Sequence, residues 1–310
     1  MRIIYMGTPE FAVPALKTLV ENGYDIVGVI TATDKYGGRG GKKLIESDVK
    51  KYAIEQGLNI LQPKNLKDPS FVEHVRSLNA DLQIVVAFRM LPVVIWNMPK
   101  HGTYNLHGSL LPRFRGAAPI HWAVMTGAHE TGVTSFKLKH EIDTGDLLFQ
   151  EKIKISDKDT TGDVYERLMN LGATVVLKTV KAIETGNIEL KEQDISLVSK
   201  APKIYHETCE IDFSQPARTI YNHIRGLNPF PTAWTKIDGL ECKILKSGLS
   251  DEELDPIHTP GTILTDNKRY LKVACKDGYI AILELKMQGK KRMDIRSLLN
   301  GYEVISKSIG

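Results

Sequence analysis

The chain predicts a doubly wound α/β domain with a parallel sheet, followed by a smaller β-barrel domain. Three observations carry that prediction. Strand, helix and strand alternate within the first 31 residues, the signature of a right-handed parallel unit. Leu82 to Ala87 is a nearly continuous apolar run, as a strand buried on both faces requires. Beyond about residue 206 the pattern turns to short strands punctuated by Asp-Gly pairs. A length of 310 residues leaves room for two cores.

The elements follow in order. Arg2 to Met6 reads as a buried strand stopped by Gly7. A helix from about Pro9 to Glu21 is expected next, with Thr8 as N-cap, Pro9 at the first helical position and Phe11, Ala15, Leu16 and Leu19 as its apolar stripe. Asn22-Gly23 ends it, and Tyr24 to Thr31 is the second strand. Gly7-Thr8-Pro9 is not the Gly-x-Gly-x-x-Gly fingerprint, so no dinucleotide is inferred. Asp34 to Lys43 holds four glycines with Lys35, Arg39, Lys42 and Lys43 and reads as a mobile basic loop, although Tyr36 and Lys43 break the phosphate-loop pattern. By composition alone it reads as a solvated surface segment.

Helices are expected over Ser47 to Gln56 and Ser70 to Leu78, with a strand near Ile60 between them. Phe88-Arg89-Met90-Leu91-Pro92 follows the central apolar strand at its carboxyl end, where such sheets bind ligands; its apolar residues suit ordinary core as well. Further on come a helix (Ala118 to Met125), strands (Val133 to Leu138 and Leu147 to Ile155) and a long amphipathic helix from Thr161 to Glu184. The polar stretch from Glu189 to Lys203 reads as a linker. After it come a helix near Pro216 to Arg225 and five short strands. These are Ala233 to Ile237, Cys242 to Lys246, Gly261 to Leu264, Tyr270 to Ala274 and Tyr279 to Leu285, with hairpin turns expected at Asp238-Gly239 and Asp277-Gly278. The domains are therefore placed at 1–189 and 207–310, joined by 190–206.

Composition narrows the class. No apolar run approaches the ~20 residues of a membrane span, and Arg2-Ile3-Ile4-Tyr5 is strand-like rather than a leader. Cys209, Cys242 and Cys275 are odd in number and widely spaced, which argues against a disulfide framework or zinc site and for a reducing cytoplasm. A net charge of +4 permits an anionic partner without demanding one.

One stretch concentrates chemistry. Asn105-Leu106-His107-Gly108-Ser109-Leu110-Leu111-Pro112-Arg113-Phe114-Arg115-Gly116 follows a strand, and Asp143-Thr144-Gly145-Asp146 lies downstream. Asn105 can donate and accept hydrogen bonds, His107 can move a proton near neutral pH, and Asp143 can orient or charge a histidine. Singly, the histidine suits a structural site and the aspartate a turn. Pro112 and Gly116 force an irregular loop of the kind that carries catalytic groups.

The block from Asn105 to Ile120 resembles the signature of the folate-dependent formyltransferases, and Asp143-Thr144-Gly145-Asp146 resembles their second signature. From Met6-Gly7-Thr8-Pro9-Glu10-Phe11 through Gly289-Lys290-Lys291-Arg292-Met293 the chain is similar to the branch acting on charged initiator tRNA. The resemblance implies a Rossmann-like catalytic domain, an OB-like barrel and transfer of the formyl group of 10-formyltetrahydrofolate to the α-amino group of methionine. It implies Asn105, His107 and Asp143 as catalytic, and Phe88, Met90, Leu91, Ser109, Leu110, Leu111 and Pro112 as folate-binding. Lys35, Arg39, Lys42, Lys43, Lys203, Lys290, Lys291 and Arg292 are expected to face tRNA; the last three read equally as a charged hairpin edge. Arg113 and Arg115 suit either the folate tail or RNA phosphate. No metal, no membrane and a cytoplasmic monomer are expected.

Gly108 departs from the pattern, since the tRNA-modifying members carry Pro there; His-Gly-Ser-Leu-Leu-Pro resembles the members that act on nucleotide-linked amino sugars. The Gly-rich basic loop, Ala117-Ala118-Pro119-Ile120 and the Gly-Lys-Lys-Arg-Met segment favour tRNA as acceptor. A formyl-folate hydrolase and a non-catalytic RNA-binding protein remain the alternatives from other classes.

Overall fold

The computed structural model describes residues 1–37 and 40–309. In chain order the elements are β1 (Arg2–Gly7), α1 (Val13–Glu21), β2 (Asp25–Ile30), β3 (Lys35–Gly37), β4 (Lys43–Ile45), α2 (Asp48–Glu55), β5 (Ile60–Leu61), α3 (Pro69–Ser77), β6 (Leu82–Val86), α4 (Val93–Trp96), β7 (Thr103–His107), α5 (Pro119–Met125), β8 (Glu130–Lys137), β9 (Leu147–Lys154) and α6 (Thr161–Thr185). They continue as α7 (Ala217–Gly226), β10 (Ala233–Ile237), β11 (Leu240–Leu249), β12 (Ile263–Thr265), β13 (Leu271–Ala274), β14 (Tyr279–Met287), β15 (Met293–Asp294) and α8 (Ile295–Leu299).

Two compact units form. The first comprises 1–119, 131–153 and 165–201; the second comprises 120–130, 154–164 and 202–310. Each is thus discontinuous in sequence, and the stretch expected as a linker divides at Ala201: residues up to it belong to the first unit through strand-like bonds between Arg115 and Ser199 and Ala201.

The first unit is a seven-stranded sheet in the order β5-β2-β1-β6-β7-β8-β9. Chain order reverses between β1 and β6, and the strands from β5 to β7 are parallel. β8 runs antiparallel to β7, so the sheet is mixed rather than wholly parallel. β6 is buried along its length, as its apolar run requires. Ile4, Met6, Ile30, Val72, Val75, Val85 and Ile95 pack into one core cluster. α6 is tied to β8 by a hydrogen bond from Thr179 to Ser135, and its Gly172 lets Leu106 of β7 approach closely.

Two local expectations need correction. Thr8 is not an N-cap: the helix opens with a 3-10 turn at Glu10–Ala12 whose N-cap is Pro9, with no side-chain cap bond. The cap expected there appears instead at Ser47 for α2 and Asp68 for α3. The basic loop is not shapeless either, because β3 and β4 pair as an antiparallel ribbon with Tyr36 opposite Leu44 and Gly37 opposite Lys43. Lys50 bridges Asp34 and Glu46, one on each side of the ribbon's base.

The second unit is a curled, barrel-like antiparallel sheet in the order β10-β11-β14-β13-β12, with β15 on β14. Register shifts between Ile244 and Ser247 bend the long β11. Trp234, Ile244, Ile280, Ile282, Leu285, Ile224 and Leu298 share its core. Asp238-Gly239 forms the expected hairpin turn, both residues at positive φ and flanked by the Ile237–Leu240 pair. Asp277-Gly278 also lies in a hairpin turn, here a four-residue loop between the paired Ala274 and Tyr279, and the Asp277 carboxylate accepts the Ala217 N–H at 2.7 Å, capping α7.

Candidate active site

β7 brings Asn105 and His107 to the carboxyl end of the sheet. Residues i and i+2 point to one face, so the amide and imidazole stand roughly 7 Å apart along the strand. Asn105 pairs with Val85 of β6 on one side and Phe136 of β8 on the other, which fixes its backbone. β6 ends beside this strand at Val86, and β1, across which strand order reverses, ends at Gly7 on its far side. Ligands of doubly wound sheets occupy that place.

Asp143 arrives from the loop between β8 and β9. Its Oδ2 lies 3.9 Å from His107 Nδ1, with the two side chains only 12% and 7% exposed. That separation suits an ion pair and is too long for a hydrogen bond. The carboxylate is held elsewhere: Oδ2 accepts the Gly116 N–H at 3.0 Å. The ring is oriented by the Phe114 carbonyl, 2.9 Å from Nε2. A carbonyl only accepts, so Nε2 carries a proton and Nδ1 is the nitrogen free to gain or lose one. The ring's hydrogen bond is thus with the Phe114 carbonyl, while Asp143 stands beside Nδ1 at ion-pair distance.

The Asp143 turn depends on one glycine. A Cβ at Gly145 would stand 1.7 Å from the Lys137 carbonyl oxygen and 2.8 Å from Phe136 Cδ2, so only glycine fits beside β8. Asp143 itself has φ +56°, a left-handed conformation that aspartate tolerates better than most residues. Gln193 donates to the Asp143 and Gly145 carbonyls at 2.9 and 2.8 Å, and accepts from Arg115.

The residues expected to hold folate fall into two groups. Ser109, Leu111 and Pro112 are buried. Ser109 Oγ donates to the Arg113 carbonyl, and Thr134 ties the loop by donating to the Ser109 carbonyl while accepting the Leu111 N–H. Gln150 donates to the Leu111 carbonyl, and Leu110 packs where a Cβ on Gly132 would otherwise sit. Leu91 lies in the core cluster, whereas Phe88 is half-buried and Met90 is 73% exposed. The structure thus gathers Asn105, His107 and Asp143 in one place, packs Phe88 partly against the core and leaves Met90 as open apolar surface at the end of β6.

Of the basic residues, Lys35, Lys42, Lys43, Lys203, Lys290 and Lys291 are exposed, and Arg39 lies outside the described residues. Opposed residues share a face of a ribbon, so Lys35 and Lys43 occupy one face of β3–β4 and Tyr36 and Leu44 the other. Arg292 is paired with Glu284, which holds that carboxyl below its usual range; this favours the hairpin-edge reading for the arginine. Lys203 sits 5.3 Å over the Tyr205 ring and Lys290 5.6 Å over that of Tyr302. Cys209, Cys242 and Cys275 are free and buried, and burial pushes the thiols of Cys242 and Cys275 up to about 12. Among the described residues no helix is long and apolar enough to cross a membrane, and no three His, Cys, Asp or Glu side chains group as metal ligands would.

A mixed α/β sheet with an amide, an imidazole and a carboxylate at its carboxyl rim, joined to a curled β-sheet unit, defines the class: a two-domain group-transfer enzyme. The chain belongs to the formyl transferase family, whose main domain matches residues 1–180 and whose C-terminal domain matches 203–303. It is 52% identical over 313 residues to the methionyl-tRNA formyltransferase of Phocaeicola vulgatus, covering 97% of this chain and 96% of that protein. It is 50% identical over 312 residues to the methionyl-tRNA formyltransferase of Bacteroides thetaiotaomicron, covering 98% and 96%. The fold is also that of an N-formyltransferase from Helicobacter canadensis solved with folinic acid and dTDP-3-aminofucose. There the TM-score is 0.69 at 21% identity, covering 90% of this chain and 98% of that one.

Proposed function

We propose that this protein transfers the formyl group of 10-formyltetrahydrofolate to the α-amino group of methionine on charged initiator tRNA. The observation that carries the chemistry is the imidazole whose Nε2 is committed to a carbonyl while Nδ1 faces a carboxylate at 3.9 Å. The acceptor rests on 49–52% identity, over nearly the whole chain, to methionyl-tRNA formyltransferases. Gly108 does not outweigh that.

Formyl transfer between nitrogens needs a neutral amine, stabilisation of the carbonyl oxygen as it gains charge, and a route for protons from the attacking to the leaving nitrogen. An α-amine with a pKa of ~7.7–8 is partly neutral near pH 7. Asn105 presents its side-chain N–H to the developing oxyanion, and protonated His107 Nδ1 adds a second donor. Asp143 stabilises the imidazolium and, through water, passes protons to and from Nδ1. Phe88 and Met90 supply apolar surface for the folate ring, and the buried loop from Ser109 to Pro112 shapes its wall. Lys35, Lys42, Lys43 and Lys203 meet tRNA phosphates.

Incubation with 10-formyltetrahydrofolate and charged initiator tRNA is expected to yield N-formylmethionyl-tRNA. Release of formate without acceptor would make the protein a hydrolase, and tRNA binding without any folate-dependent product would make it a binding protein.

A further inference from the structure

The geometry points to Gln193 and Arg115 as a brace that sets the Asp143 carboxylate for His107. Both are positioning residues, and the inference rests on the reading of Asn105, His107 and Asp143 as the reacting set. Gln193 is half-buried in a stretch whose neighbours are exposed. Its Nε2 has two hydrogens and spends them on two carbonyls, Asp143 at 2.9 Å and Gly145 at 2.8 Å. Its Oε1 accepts from Arg115 Nε at 3.1 Å and Nη2 at 2.6 Å. Arginine only donates and carbonyls only accept, so the amide can face just one way and every site on it is used.

The arginine is itself anchored. Its backbone N–H donates to Ser199 and its carbonyl accepts from Ala201, at 2.9 and 2.7 Å. The next residue, Gly116, supplies the N–H that holds Asp143 Oδ2. Asp143 is therefore gripped at both ends from the 115–116 segment: through Gln193 at its carbonyl, and directly at its carboxylate. That double grip is what holds a non-glycine residue at φ +56°. No hydrogen bond joins Gln193 to His107, so whatever it does for turnover passes through Asp143.

The test uses purified full-length protein in the formyl-transfer assay, with thermal unfolding as a check on folding. Gln193→Ala is expected to lower kcat by about tenfold or more, with KM for both substrates held within about twofold, because the lost grip affects charge placement rather than binding. Gln193→Glu keeps the Arg115 contact but cannot donate to either carbonyl, and should be as slow. Adding Gln193→Ala to Asp143→Asn should cost nothing further, as for two residues acting through one group. Arg115→Lys, which loses the two-pronged donor, should shift kcat the same way and serves if the alanine variant folds poorly. A near wild-type Gln193→Glu, an effect confined to KM, or losses that multiply with Asp143→Asn would overturn the brace. A slow Asp143→Asn beside a wild-type Gln193→Ala overturns the brace alone; wild-type rates in both overturn the site reading beneath it.

Discussion

Replacing Asp143 by Asn removes one charge and almost nothing else. The new side chain keeps an oxygen for the Gly116 N–H, so the turn has no reason to move. What disappears is the attraction between a carboxylate and an imidazolium 3.9 Å apart. At an effective dielectric of ~20, suited to groups largely shielded from solvent, that attraction is about 4 kcal/mol. Some water reaches a side chain that is 12% exposed, so the realised value is smaller. With each 1.36 kcal/mol worth tenfold in rate, kcat should fall roughly 10²- to 10³-fold. Quench-flow under single-turnover conditions, with both substrates saturating, isolates the chemical step. A folded Asp143→Asn enzyme within about threefold of wild type would refute the claim that this carboxylate's negative charge assists the transfer.

Other consequences are as direct. Gly145→Ala forces its Cβ into the Lys137 carbonyl, so it should destabilise the protein by about 1–3 kcal/mol and reduce turnover at least as far as Asp143→Asn, read from thermal unfolding and the same assay. Tyr36 is 76% exposed on the ribbon, so Tyr36→Ala should leave stability unchanged and weaken tRNA binding about tenfold if the ring stacks on a base; filter binding measures this. Lys43→Ala should lower the salt dependence of that binding by about one counterion. His121 and His223 are held below the usual histidine range by burial, opposed by the Phe230 and Cys209 backbone. The unfolded chain then binds protons first, so stability should be present above pH ~6.5 and decline as pH falls below it; His223→Gln should flatten that decline in denaturant titrations.

Much of the architecture was legible because local rules and burial agree in it. Leu82 to Val86 is apolar but for Gln83 and buried along its length, and Asp238-Gly239 has the backbone freedom its turn demands. The reversed β8 was hidden because the residues of a strand fit either direction equally well. The β3–β4 ribbon was masked by glycines and lysines that composition assigns to a loop, while its cross-strand pairing is a matter of register. α4 and α8, of four and five residues, are too short to show periodicity.

The candidate site divides the same way. Asn105, His107 and Asp143 stand out by residue type and by the turn chemistry around them. Phe114 contributes only a carbonyl and Gly116 only an N–H, which every residue type offers, so no side-chain pattern reveals them. Gln193 lies 50 residues from Asp143 in a polar stretch that reads as connector. Only the folded chain brings it there.

The most direct test is single-turnover formation of N-formylmethionyl-tRNA by wild type and by Asn105→Ala, His107→Ala and Asp143→Ala, each verified as folded. Losing one oxyanion donor typically costs ~10²–10³ in kcat, and all three variants should be slowed by at least that order. Transfer at near wild-type rates in any of the three would mean that the chemistry is done elsewhere.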